Sequence, residues 1–489
     1  MVKSADTRDL KSLGSNTVPV QIRSAAPGYG PCAPLCRGAF RFLPLLQRQK
    51  WDAILPFKER VPRKKGELAL VIFDLDGTLY RTHETTLPAF EAICQQYQLP
   101  LTEEDKNFLL YTTTQSLLNR LAPDMPPDQQ AAFREKLKQR ELQAVKESGH
   151  LYDQVGELLS SLFHEGVELA ICGMGNQEYI EAVLEHCQIR QYFSYISYRI
   201  GNRTKGEALA ELLSESHKTP EQCILVGDSI TDLNAARENH VPFIGVGYGY
   251  GAKEIAQADF IAENVAQLGS LLHYMMIYQR ITRDLSYLPK PVTVGINGVD
   301  TSGKSVFAYN LERFLKSQGA QVELLHLDDF HNPRAIRSLD RSPQGYIDHA
   351  FNLEALAELI SSAKQSSRAV NLDLLDLDQD TYTKNHTYHF TKDTIVLVEG
   401  VLLFRPPLDK LFDYKIFLDI SFQEVLRRAA KRDVPKYGDA ILDRYKQRYI
   451  PAQQIYFKQF DPIRQAQMVI DNTNFSNPRM QFSSKTRRP

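Results

Sequence analysis

The stretch Gly298-Val299-Asp300-Thr301-Ser302-Gly303-Lys304-Ser305 decides how the second half of this chain is read. An apolar run, Val292 to Ile296, precedes it and has the look of a buried strand. Val306 to Leu315 follows, with apolar residues at helical spacing. Strand, G-x-x-x-x-G-K-S and helix together make the context of a P-loop. The glycines let backbone N–H groups turn toward phosphate oxygens, and the helix N-terminus adds positive potential. Gly298, Asp300, Ser302 and Gly303 are therefore expected to line a nucleoside-triphosphate site. Lys304 would reach the β- and γ-phosphates and the Ser305 hydroxyl would ligate Mg²⁺, so ATP and Mg²⁺ are the expected cofactors. An ordinary glycine-rich turn is the alternative, and it leaves Lys-Ser at the helix start unexplained.

A comparable signal lies upstream. Leu68 to Phe73 is a continuous apolar run, as in a buried parallel strand, and it ends in Asp74-Leu75-Asp76-Gly77-Thr78. Carboxylates at i and i+2 point the same way from an extended chain, into the crevice where open α/β sheets bind ligands. Two like charges so close call for a cation, which suggests Mg²⁺. Alone, D-x-D-G-T also fits a loop Asp pair or part of a calcium loop, although the remaining calcium ligands are absent. Val167 to Cys172 is a second strand, and Lys205 opens a helix. Cys223 to Val226 is a third strand, running into Gly227-Asp228-Ser229-Ile230-Thr231-Asp232, whose acids are placed to complete a metal site with Asp74.

Composition bounds the rest. A chain of 489 residues is too long for one hydrophobic core. A formal net charge of −1 gives no global attraction to nucleic acid or an anionic membrane. Six scattered cysteines point to reduced thiols in an intracellular compartment. Cys32 and Cys36 lie close together but lack a complementing pair for a metal. No apolar run reaches the roughly 20 residues of a membrane span. From Leu10 to Lys50 there is no Asp or Glu, while Lys11, Arg23, Arg37, Arg41, Arg48 and Lys50 are present. That leader is either an organelle transit peptide or a disordered extension. A cytoplasmic protein is the expectation, with organelle targeting left open, as is homo-oligomerisation.

The segment from about Leu68 to Leu272, with D-x-D-G-T and G-D-S-x-x-D, resembles the haloacid dehalogenase superfamily. The resemblance implies Asp74 as a nucleophile forming an aspartyl phosphate, and Asp76 as general acid/base and, with it, part of the metal site. It implies Lys205 stabilising the phosphoryl charge, and Asp228 and Asp232 holding Mg²⁺ with Asp74. It also implies a helical cap between Thr78 and about Leu151, as in phosphoglycolate-phosphatase-like members. One departure stands out: Gly173 occupies the place where the family has Thr or Ser. The backbone N–H remains there to contact substrate, but a hydroxyl donor is lost, a change typically worth on the order of a hundredfold in rate.

Further on, Val322 to Leu327 is a strand delivering Asp328-Asp329-Phe330-His331, and Thr394 to Val398 another, ending in Glu399-Gly400. Asp328 suits a base that deprotonates an attacking hydroxyl, and Glu399 an outer Mg²⁺ ligand. Phe422 to Lys431 is amphipathic, with Arg427, Arg428, Lys431 and Arg432 near its end. On their own these read better as a solvated basic face. Together, from Val292 to Met480, these elements resemble the uridine kinase family, which implies Asp328 as catalytic base and Arg428 and Arg432 as lid arginines. Tyr346-Ile347-Asp348-His349-Ala350-Phe351 falls where the family holds the nucleoside sugar, making Asp348 the candidate ribose ligand. Asp329 and His331 depart from the family's usual Ser and Tyr.

The expectation is thus an α/β protein with two doubly wound parallel-sheet domains. A Rossmann-like haloacid dehalogenase domain with a helical cap (about 84–150) spans 67–278, and a P-loop kinase domain spans 291–480. A flexible extension (1–66), a linker (279–290) and a tail (481–489) complete the chain. The expected function is twofold: ATP-dependent phosphorylation of a small-molecule hydroxyl, a nucleoside such as uridine first, and Mg²⁺-dependent hydrolysis of a small phosphate ester. The alternative is a kinase for a non-nucleoside metabolite, regulated by a weak or inactive phosphatase-like sensor.

Overall fold

A computed structural model describes residues 70–109, 114–251, 254–365 and 368–482. The leader, with Cys32 and Cys36, and the tail past residue 482 lie outside the described residues.

Leu70 to Phe73 are buried throughout because their strand is flanked on both edges and covered on both faces. This strand, β1 (Leu70–Phe73), is joined by β2 (Glu168–Cys172), β3 (Phe193–Ser197), β4 (Cys223–Gly227), β5 (Phe243–Val246) and β6 (Phe260–Ala262). The sheet runs β3-β2-β1-β4-β5-β6, and all neighbouring pairs are parallel. Strand order reverses between β1 and β4, and the crevice at such a switch point is where α/β sheets bind ligands. Between β1 and β2 come five described helices; Val155–His164 packs on the sheet, and the first four are His83–Gln96, Glu103–Leu109, Thr114–Leu121 and Pro127–Ser148. These four enclose a core of their own that includes Phe90, Leu118 and Phe133, and they form the expected cap.

The second sheet contains β7 (Val292–Gly298) and β8 (Val322–His326); a hairpin of β9 (Arg368–Asp376) and β10 (Thr381–Phe390) pairs separately. The sheet is completed by β11 (Ile395–Gly400), β12 (Tyr414–Asp419), β13 (Met468–Asp471) and β14 (Arg479–Phe482). Its order is β14-β13-β12-β7-β11-β8, parallel except for the antiparallel edge strand β14. The P-loop strand β7 is central, between β12 and β11.

One helix, Val265–Leu285, joins the two layers. It continues past Tyr278, through most of the stretch expected as a linker, because Ile281 and Leu285 are core residues. Tyr278 packs against Phe307 and Phe314 of the P-loop helix, with ring centroids 5.2 and 5.8 Å apart. On the other side His273 meets Glu165 at 3.1 Å, and Gln279 donates to the Glu221 carbonyl at 2.7 Å. The core around β1 and β2 is therefore continuous with that around β7. Among the described residues no helix is long and apolar enough to cross a membrane.

Two candidate active sites

The first site lies at the carboxyl ends of β1 and β4. The Asp74 N–H donates to the Val226 carbonyl at 2.8 Å, so strand pairing carries the carboxylate one residue past β1. Lys205 opens the helix Lys205–Ser216, whose start is pinned by a capping box between Thr204 and Glu207. Its buried ammonium pairs with Asp74 and, at 2.5 Å, with Asp232. Asp232 also closes a capping box with Ser229 at the start of Ile230–Glu238. Asp228 accepts from the Tyr250 N–H at 2.7 Å. Gly77 has φ +79°, and a Cβ there would lie 2.4 Å from an Asp228 oxygen, so the turn admits only glycine.

Asp74, Asp228 and Asp232 each offer a carboxylate oxygen within 4.8 Å of the others. Three hard oxygen donors at that spacing fit Mg²⁺. Their electrostatics agree. Burial, reinforced by the neighbouring acids and opposed by Lys205, holds the Asp74 carboxyl well above the usual range. Burial and Asp232 push Asp228 up to about 7. Burial pulls Lys205 down, but Asp232 and Asp74 outweigh it and the net shift is upward.

The Asp76 side chain is not in this group. It accepts from the Thr82 hydroxyl at 2.6 Å and the Tyr179 hydroxyl at 2.8 Å, while burial raises its pKa. Of the four acids expected at the metal, three come together. The Gly173 N–H, expected to face substrate, donates to the Ser197 carbonyl at 3.2 Å. A Cβ at Gly173 would lie 2.7 Å from Ile180 Cδ1, so the space for the missing hydroxyl is filled by an isoleucine.

Sequence reading missed Thr82, Tyr179 and Glu141. Glu141 reaches in from the cap helix Pro127–Ser148, bonds Thr86, and feels Asp76 and Arg199. Burial first, and Asp76 second, raise it to about 7. Lys138 of the same helix pairs with Glu178, beside Tyr179, at 2.6 Å. No motif announces these residues: Thr82 precedes the first cap helix, Tyr179 stands on the helix after β2, and Glu141 on a cap helix, so the tertiary fold brings them to Asp76.

The second site lies at the carboxyl ends of β7, β8 and β11. Asn297 accepts from the Gly298 N–H at 2.8 Å and donates to the Tyr456 hydroxyl at 2.8 Å, fixing the exit of β7. Asp300 and Gln453 bond reciprocally at 3.0 and 2.9 Å. Ser305 donates to Glu399 Oε1 at 3.0 Å, and His326 Nδ1 lies 2.8 Å from the same oxygen. Burial alone would raise Glu399, but the His326 bond and charge bring it below its ordinary value. The expected pair of Mg²⁺ ligands therefore meets, and a hydroxyl with an ionised carboxylate fits an ion whose other ligands are phosphates and water. Asp328 stands half-buried just after β8 and contributes to the field at Lys304.

Both lid arginines are engaged differently from expectation. Arg428 is buried and donates to the carbonyls of Thr301, Asn472 and Thr473 at 3.1, 2.6 and 3.0 Å. Its guanidinium also stacks 3.7 Å from the Phe475 ring centroid. Arg432 makes a two-bond pair with Asp433 at 2.8 and 3.0 Å. Asp348 lies on the exposed side of the helix Pro343–His349, where Gln344 donates to both its oxygens at 3.0 and 3.1 Å. The hairpin is an addition: Lys384 of β10 reaches Asp329 at 2.5 Å.

Residues 71–246 match the family model for haloacid dehalogenase-like hydrolases. This segment is a haloacid dehalogenase-like hydrolase domain. Similarity to characterised proteins divides along the two sheets' chemistry. The chain is 26% identical over 229 residues to phosphoglycolate phosphatase of Salmonella paratyphi A, covering 40% of this chain and 90% of that one. It is 28% identical over 184 residues to uridine kinase of Proteus mirabilis, covering 35% and 82% respectively. It is also 27% identical over 197 residues to tyrosine-protein kinase PtkA of Mycobacterium tuberculosis, 39% of this chain; it spans only 65% of that relative's length. The chain joins a haloacid dehalogenase-type phosphatase domain to a uridine-kinase-like P-loop domain.

Proposed function

We propose that this chain is a cytoplasmic bifunctional enzyme for small molecules. The P-loop domain transfers the γ-phosphate of ATP to a hydroxyl, with a nucleoside as the first acceptor to test. The haloacid dehalogenase domain hydrolyses a small phosphate ester through Asp74. The observation that carries the reading is the convergence, within one chain, of the Asp74–Lys205–Asp228 cluster and the Lys304–Ser305–Glu399 cluster at two sheet switch points.

In the hydrolase, an Asp74 oxygen attacks phosphorus while Asp76 gives its proton to the leaving alkoxide. Water, deprotonated by Asp76, then attacks the aspartyl phosphate, releasing phosphate and restoring Asp74. The raised Asp76 pKa suits this exchange. Lys205 sits against Asp74 to offset phosphoryl charge, and Asp232 holds Lys205 in place. Mg²⁺ held by Asp74 and Asp228 would neutralise charge on the transferring group. In the kinase, Asp328 takes the acceptor's proton as its oxygen attacks the γ-phosphorus and ADP leaves. Lys304 and the P-loop N–H groups hold the phosphates, and Ser305 and Glu399 would hold Mg²⁺, which would neutralise phosphate charge.

The test is ADP release from ATP and Mg²⁺ by an Asp74→Asn variant across nucleosides and other small alcohols, beside hydrolysis of p-nitrophenyl phosphate by Lys304→Ala. Acceptor-stimulated ADP release and ester turnover support the reading; neither signal sinks it. A second reading, a kinase of a non-nucleoside metabolite regulated by a weak phosphatase-like domain, is favoured by Gly173, whose N–H is spent on Ser197. It predicts slow ester turnover and ADP release only with a non-nucleoside alcohol.

A further inference from the structure

Asn472 follows β13 directly and is 1% exposed. Its polar groups are engaged on every side. The N–H donates to the Asp419 carbonyl at 3.0 Å, and the carbonyl accepts from Arg428 at 2.6 Å. Nδ2 donates to the Ser302 carbonyl at 2.7 Å, and Oδ1 accepts from the Tyr274 hydroxyl at 2.6 Å. Because Arg428 also holds the Thr301 carbonyl, Asn472 secures one P-loop carbonyl directly and supports a second. Gly303 closes the packing: a Cβ there would lie 2.9 Å from Asn472 Nδ2.

Three of these partners belong to the P-loop domain. Tyr274 does not. It stands on the helix Val265–Leu285, its ring 6.3 Å from Phe307 and 6.0 Å from Tyr278. The preceding residue, His273, bonds Glu165 at the end of a helix packed on the first sheet.

A P-loop presents N–H groups to phosphate only while its carbonyls are held outward. A side-chain amide can turn over, exchanging its donor and acceptor ends. Turned over, Asn472 would set Oδ1 against the Ser302 carbonyl, two acceptors face to face. The Ser302 carbonyl, which can only accept, selects the orientation with Nδ2 toward it, and the Tyr274 hydroxyl, by holding Oδ1, fixes the side chain in the position from which Nδ2 reaches Ser302. We propose that Tyr274 is a positioning residue for the triphosphate site, through which the helix shared with the hydrolase domain sets P-loop geometry. This rests on the kinase reading above.

The test is calorimetric titration of ATP with Mg²⁺ into the full chain, with Tm measured beside it. Loss of one buried hydrogen bond corresponds to about five- to tenfold in affinity. Tyr274→Phe should raise the ATP Kd by that factor, Asn472→Ala should do at least as much, and the double variant should bind no worse than Asn472→Ala alone. Asn472→Asp keeps the acceptor for Tyr274 but replaces the donor to Ser302 with an acidic oxygen, so it reads the P-loop end of the relay even if Tyr274→Phe fails to fold; it too should weaken ATP, at pH values on both sides of the carboxyl's titration if the lost donor rather than the added charge is responsible. A role confined to packing would lower Tm and leave Kd alone. Unchanged ATP affinity in Tyr274→Phe or Asn472→Asp, or losses that multiply in the double variant, overturns the relay. Absence of ATP binding by the unsubstituted chain overturns the kinase reading itself, and the relay with it.

Discussion

The Lys304 ammonium donates to the carbonyl of Val299 at 2.8 Å, so the P-loop lysine is held by its own loop. Burial lowers its pKa, while Asp300, Glu399 and Asp328 work against that shift. Lys304→Ala should therefore cut kinase turnover by on the order of 10³-fold and leave ester hydrolysis intact. Asp74→Asn should do the reverse. Parallel assays of ADP release and p-nitrophenyl phosphate hydrolysis on both variants check this; loss of both activities in either variant contradicts separate sites.

Mg²⁺ should bind the first site more tightly as pH rises. Burial and Asp232 raise Asp228 to about 7, so the metal-free carboxyl carries a proton that binding must release. One such proton makes the apparent Kd about tenfold weaker at pH 6 than at pH 8. Calorimetry without nucleotide at the two pH values measures the ratio, and equal affinities would count against Asp228 as a ligand.

Restoring a hydroxyl at position 173 should need a second change. Gly173→Ser alone brings a Cβ within 2.7 Å of Ile180 Cδ1 and should cost about 1–3 kcal/mol through overpacking. Gly173→Ser with Ile180→Val removes that methyl and should raise phosphatase turnover by about tenfold or more. Turnover no better than the parent's would show that this donor does not limit the rate.

Glu141 makes stability fall with rising pH. Its folded pKa of about 7 exceeds its ordinary 4.5, so the folded state binds more protons in that window. Nothing is lost below pH 4.5; the penalty grows through pH 7 to about 3 kcal/mol. Glu141→Gln should match the parent at pH 4 and exceed it at pH 8. Urea midpoints at both values decide, and an equal gain at both would assign the effect to packing rather than charge.

The parts legible in the residues are local in origin. Buried parallel strands read as apolar runs, so Leu70–Phe73 and Ile395–Val398 announced themselves; Asp74 and Asp228 stand just past strand ends, and Lys304 and Ser305 open the helix that follows β7. The hairpin β9–β10 was not picked out, since most of its residues are exposed and only its ends, at Leu374, Leu375, Tyr388 and Phe390, are buried. Nor was the use made of each side chain. Whether Arg428 meets phosphate or the carbonyls of Asn472 and Thr473 depends on loops more than forty residues away in the chain. Likewise Asp76 faces Thr82 and Tyr179, Glu141 arrives with the cap, and Tyr274 reaches Asn472 across 198 positions. Sequence by itself placed two clusters of acidic, lysine and serine side chains beside buried strands, because short-range geometry and charge favour those residue types there. Tertiary structure alone decided which partners hold them, because a hydrogen bond is satisfied by whatever the fold brings within about 3 Å.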